Sequence, residues 1–253
     1  MALKKARDCG ADLWETDVRA TTDGELVLFH DRTLVRTTDV MTRSEFSAQR
    51  PWNLSECTFA ELKNLAAGSW FLQSDPFGTI AAGDVTKDDF PIIRAQRIPA
   101  LQDVLKYCRH YDFPVNLEIK DQTGTAAAET IVGQILDLLK TTGTEQLVLL
   151  SSFNHDYLRQ AKQLNPTIAT AALAENSHPE NLLDYLRDMG VDAYHPDQLI
   201  TDSQLVRRLT ASGVRVNLWV VNDLDRARYF FKAGATFICT DWPQRMSGSG
   251  HSP

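Results

Sequence analysis

Two rhythms of apolar and polar positions run through the chain. Short apolar runs, PVNLEIK, QLVLLSSF, TIATAAL, VDAYHP, VRVNLWVV and TFICTD, each follow a segment whose apolar residues recur every three or four positions. Those segments, ALQDVLKYCRHY, AAETIVGQILDLLKTTG, DYLRQAKQLN, NLLDYLRDMG, DSQLVRRLTASG and DRARYFFKAG, predict helices, several closed by glycine. Strands alternating with helices in this way predict repeated βα units around a parallel sheet.

Nearer the start, ADLWETDV predicts a further strand, bringing the predicted total to seven. ELVLFHD follows it after the pair Asp23-Gly24, which predicts a two-residue hairpin turn with positive φ at both central positions. The opening MALKKARDCGA reads as the last turns of a helix, with Lys4, Lys5 and Arg7 near the end and Gly10 as the stop. A seven-stranded sheet of this kind would expose two edges that an eight-stranded barrel removes by closure. The expected architecture is therefore a TIM (β/α)8-type barrel that lacks its first strand, about 25 residues on the span of one βα unit.

From Asp39 to Arg97 the rhythm weakens. One helical piece, TFAELKNLAAG, precedes a stretch rich in Gly, Pro and Asp, which reads as an insertion within a single barrel domain over residues 1–246. Residues 247–253 are small and polar and are expected to be a disordered tail.

With 253 residues, 43% hydrophobic and 23% charged, the chain suits one large domain. Its net charge of -7 argues against nucleic acid or an anionic membrane as a main partner, so positive charge for an anionic ligand has to be local. Cys9, Cys57, Cys108 and Cys239 show no CxxC spacing, which predicts reduced thiols rather than a zinc site or a disulfide framework. Neither a signal-like start nor a membrane-length apolar run occurs, so a cytoplasmic protein without a stable membrane anchor is expected. Oligomeric state is not legible.

In a barrel the reactive side chains stand at the carboxyl ends of the strands. Glu15 and Asp17, two residues apart, share one face of their strand, and Glu118 and Lys120 repeat the arrangement on the next. Three carboxylates on adjacent strands form a hard oxygen site suited to Mg²⁺ or Ca²⁺. Lys120 adds a positive charge for a phosphate, and His30, returned by the hairpin, can exchange a proton near neutral pH. Trp219 is either barrel core or the wall of a ligand pocket. His110, His155 and His178 read as ordinary surface or capping residues, while His195 is open to either role. The Ser151-Ser152 pair lacks a G-x-S-x-G elbow.

The blocks GADLWETDVRATTDGELVLFHDRTLVRTT, LAAGSWF, IPALQDVL, NLEIK, SSFNHDYL, LWVVND and ICTDWP resemble the glycerophosphodiester phosphodiesterases, TIM barrels related in fold to the phosphatidylinositol-specific phospholipases C. The resemblance implies metal-dependent hydrolysis of glycerophosphodiesters, such as glycerophosphocholine, to glycerol 3-phosphate and an alcohol. It implies Glu15, Asp17 and Glu118 as metal ligands, His30 as general acid, and Lys120 and Trp219 as substrate contacts. Two departures stand out: Val220 replaces the family's usual threonine, and no H-R-G or E-N-T motif occurs, so the second catalytic histidine of the family is not present in this sequence. Catalysis impaired by that lack is one expectation. A non-catalytic module binding a phosphorylated ligand, or a phospholipase D-like enzyme on the same barrel, is the alternative.

Overall fold

The computed structural model describes residues 1–246, so the tail predicted at 247–253 lies outside the described residues. Its elements are α1 (Ala2–Asp8), β1 (Trp14–Ala20), β2 (Leu26–Leu28), α2 (Phe59–Leu62), α3 (Ser69–Ser74), α4 (Phe90–Arg94), α5 (Leu101–Tyr111), β3 (Val115–Ile119) and α6 (Ile131–Thr142). There follow β4 (Val148–Ser152), α7 (His155–Leu164), β5 (Ala169–Ala174), α8 (Leu182–Met189), β6 (Ala193–Pro196), α9 (Ser203–Ala211), β7 (Arg215–Leu218), α10 (Leu224–Ala233), β8 (Phe237–Ile238) and α11 (Pro243–Met246).

The βα alternation becomes one curled half-barrel sheet in the order β2-β1-β3-β4-β5-β6-β7-β8. All neighbours are parallel except β1 and β2, the predicted hairpin. Among the described residues no pairing joins β8 to β1. Alternate residues of each strand face the helices: Leu117, Ile119 and Leu150 pack with Ile131, Ile135 and Leu139, while Tyr194, Val216 and Leu218 pack with Val206, Leu209 and Phe230. The other set of alternate positions faces the opposite side of the sheet and includes Glu15, Asp17 and Glu118.

The hairpin turn differs from its expected form. Only Gly24 of the Asp-Gly pair takes positive φ, at 81°, and the Thr21 N–H reaches Glu25 O while the Gly24 N–H reaches Thr21 O. This is a longer turn with a glycine bulge, in which one left-handed residue suffices. Asp23 is freed to accept hydrogen bonds from the Thr21 hydroxyl and the Phe59 N–H, tying the turn to the start of α2.

Within 39–97 the single expected helix, TFAELKNLAAG, is shortened to α2, and two further helices, α3 and α4, follow it. A capping box starts α2: the Thr58 hydroxyl accepts the Glu61 N–H at 3.3 Å, and Glu61 Oε2 accepts the Thr58 N–H at 2.7 Å. Gly68 then caps α3 where that helix meets the end of α4; a Cβ there would lie 1.8 Å from Ile93 O, so the close approach requires glycine. Val40, Phe46, Leu54, Leu62 and Leu65 form a small core with Val27 and Phe29 from the hairpin. From the segment 39–97, Trp70, Phe71 and Phe77 lead by successive ring contacts to Trp242, just after β8. Thr58→Ala removes one cap of a short helix and is expected to cost about 1 kcal/mol in urea unfolding.

The four cysteines are free thiols, as expected, with Cys57 and Cys108 buried. Among the described residues no helix is long and apolar enough to cross a membrane.

Candidate active site

Strand register builds the centre of the site. Asp17 on β1 lies opposite Glu118 on β3, and Glu15 lies opposite Asn116. One carboxylate oxygen from each of Glu15, Asp17 and Glu118 lies within 4.8 Å of the others. Lys120 Nζ bridges two of them, 2.9 Å from Asp17 Oδ1 and 2.7 Å from Glu118 Oε1.

The charges are unbalanced. Burial, then the nearby Asp17 and Glu118 charges, push the Glu15 carboxyl well above its usual range. Burial also pushes Glu118 up, against the pull of Lys120. For Lys120 burial works against the ammonium, but Asp17 and Glu118 outweigh it and hold its pKa above the ordinary lysine value. One ammonium cannot neutralise three carboxylates. A hard divalent cation would make up the difference, and an all-oxygen donor set drawn from adjacent strands fits one.

His30 follows β2 and shares an open cavity of about 260 Å³ with Asp17, along with Thr37, Gln96 and Arg97. Its ring is 62% exposed, with Nδ1 2.7 Å from Asp31 Oδ1. Arg19, buried on β1, donates from Nε and Nη2 to His30 O at 3.1 and 3.0 Å, and from Nη1 to Asp121 O at 3.3 Å. Sequence reading passed over this arginine, although Glu15, Asp17 and Arg19 continue one alternation, and that spacing was the available signal.

Trp219, half-buried just after β7, stands apart from the carboxylates in its contacts. Its Nε1 donates to His195 O at 2.8 Å, and the Phe153 ring meets it edge-on at 5.6 Å. The remaining histidines divide. His110 is exposed, as expected. His155 and His178 are neither surface nor capping residues: each is half-buried between a tyrosine hydroxyl and a backbone carbonyl, Tyr185 and Leu173 O for the first, Tyr194 and Ile200 O for the second. Tyrosines 16 and 30 residues away carry no local pattern that would reveal these pairs.

His195 is buried on β6, its Nδ1 without a hydrogen bond, and burial lowers its pKa to about 3. It is a neutral side chain in the folded protein. Because this value lies below the unfolded one of about 6.5, the unfolded chain binds the extra proton, and stability present above pH 6.5 is lost as pH falls towards 3. The expected slope from this residue is about 1.4 kcal/mol per pH unit, and His195→Asn should flatten the acid limb of a stability–pH curve.

The sequence matches the glycerophosphoryl diester phosphodiesterase family over residues 1–245. It is 31% identical over 245 residues to a glycerophosphodiester phosphodiesterase of Caldanaerobacter subterraneus, covering 97% of this chain and 88% of that protein. A glycerophosphodiester phosphodiesterase of Bacillus subtilis is 25% identical over 96% of this chain and 78% of its own length. Among solved structures, an Oleispira antarctica phosphodiesterase in complex with the product sn-glycerol 3-phosphate superposes with a TM-score of 0.80 at 28% identity, covering 98% of this chain and 88% of that one.

Proposed function

The chain belongs to the glycerophosphoryl diester phosphodiesterase family, and from that premise we propose that it hydrolyses glycerophosphodiesters to glycerol 3-phosphate and an alcohol with the aid of a divalent cation, Mg²⁺ or Ca²⁺. Membership makes it a phosphoric diester hydrolase. The observation that carries the metal-dependent reading is the cluster of Glu15, Asp17 and Glu118 around a single balancing lysine. The product complex of the Oleispira antarctica protein supports a small-molecule substrate.

In this reading Glu15, Asp17 and Glu118 would hold the cation, which when bound would supply charge stabilisation for the phosphate oxygens. Lys120 lies where a phosphate would bring its negative charge, and it can exchange one carboxylate partner for a phosphate oxygen. An attacking hydroxyl oxygen, in the end that of water, forms the new bond to phosphorus and gives its proton to solvent. As the bond from phosphorus to the alcohol oxygen breaks, His30 protonates that oxygen and the alcohol leaves neutral. Trp219 would wall the ligand on the β7 side.

The competing reading is a binding-only protein that keeps the carboxylate cluster for a phosphorylated ligand without turnover. Alcohol release from glycerophosphocholine and glycerophosphoethanolamine, measured with Mg²⁺, with Ca²⁺ and with chelator, decides between them. Metal-stimulated release supports the enzyme. Binding of glycerol 3-phosphate with metal but without release, both in this chain and in one extended by an H-R-G strand, overturns it. Release that rises strongly on that extension identifies impaired catalysis in this chain.

A further inference from the structure

The general-acid role of His30 demands a fixed ring, yet the ring is mostly open to solvent, so apolar packing does not fix it. The restraint is polar and comes from two directions. Arg19 clamps the His30 carbonyl, which sets the main chain. Asp31 Oδ1 meets the imidazole Nδ1 at 2.7 Å, which sets the ring.

Asp31 is itself held. Arg36 Nε reaches Asp31 Oδ2 at 2.6 Å and Arg36 Nη2 reaches Oδ1 at 2.7 Å, the two-pronged geometry in which a guanidinium fixes the plane as well as the place of a carboxylate. The guanidinium of Arg36 in turn lies 6.0 Å from the Trp70 ring centre, so the insertion braces the far side of the chain of contacts. Oδ1 thus serves two donors at once, one from the arginine and one from the histidine.

We propose that Asp31 and Arg36 are positioning residues for His30: Arg36 locks the Asp31 carboxylate, and that carboxylate holds the proton on Nδ1, leaving Nε2 to serve the reaction. This rests on the assignment of His30 as the general acid. Arg36, followed by His30, keeps the Asp31 carboxyl at about 2, below its ordinary value, so the acceptor is ionised throughout the neutral range. An acceptor at one imidazole nitrogen selects the tautomer that carries its proton there, so a second proton is taken up on Nε2, and the imidazolium so held delivers that proton along one direction.

Three variants and two readouts test the pair. Asp31→Asn preserves shape and loses charge, Arg36→Lys keeps charge and loses the fork, and Arg36→Gln loses both. Expected for Asp31→Asn and Arg36→Gln is a fall in kcat on the order of 100-fold with KM little changed, the scale of loss that small misplacement of a reacting group brings. Arg36→Lys should fall between these and the parent. Nitrogen-15 shifts of His30 should report the Nδ1–H tautomer in the parent and a mixed population in Asp31→Asn, a change that a purely structural loop contact would not produce.

Unchanged kcat in both Asp31→Asn and Arg36→Gln, or an Nε2–H tautomer in the parent, overturns the proposal. Should turnover be absent both in the parent protein and in one extended by an H-R-G strand, the functional reading fails by itself. The nitrogen shifts then judge the pair alone.

Discussion

Glu118→Gln is expected to abolish tight binding of Mg²⁺ or Ca²⁺ and to lower kcat/KM by about 10³-fold, equivalent to about 4 kcal/mol of lost transition-state stabilisation. The argument is geometric first. Glu118 faces Asp17 across the β1–β3 register, with Glu15 completing a set whose oxygens lie within 4.8 Å of one another. An amide of the same shape keeps an oxygen but loses the charge, and hard cations are held chiefly by charge. Lys120, deprived of one of its two carboxylate partners, would pair more closely with Asp17. Stability is expected to move the other way from activity. Three carboxylates crowded round one ammonium repel one another, so removing one relieves that repulsion when no cation is present. Calorimetric titration with each cation, beside thermal melts in chelator, separates the two effects. Undiminished cation affinity in Glu118→Gln would show that the ion binds elsewhere.

His30→Ala is expected to reduce kcat by roughly 10²- to 10⁴-fold, the usual span for removal of a general acid. Its loss has a distinguishing mark. If the imidazole protonates the departing oxygen, its removal costs most when that oxygen is strongly basic, as in choline or ethanolamine esters, and little when the alcohol is acidic, as in a nitrophenyl ester. Cation affinity should be unaffected, since the three carboxylates lie on β1 and β3 and His30 comes from the loop after β2. Equal losses with basic and acidic leaving groups would overturn the proton-donor role, while leaving a part in binding open to measurement through KM.

The carboxylate cluster was readable in the sequence because strand geometry leaves little freedom. Residues two apart share a face, successive strands in βα repeats usually lie side by side, and so Glu15, Asp17, Glu118 and Lys120 were bound to converge. The βα repeats were readable for the same reason, from helices with one apolar stripe and strands with few polar residues. Arg19 escaped notice because its partners are backbone carbonyls, of His30 and Asp121, and carbonyls leave no trace in a residue pattern. The clamps on His155 and His178 depend on tyrosines brought in from distant helices and strands. The packing of α3 against the end of α4 rests on a steric fact, the approach of Ile93 O to Gly68, which periodicity does not encode.

The ring contact between Phe77 and Trp242 joins an early segment of the chain to nearly its last described residues. Closing so long a loop costs entropy before any contact rewards it, whereas the β3–β4 and β4–β5 neighbours can pair locally. The barrel wall can therefore assemble while this junction is still open, and indole fluorescence from position 242, isolated by replacing the other four tryptophans with phenylalanine, is expected to change last as the protein folds.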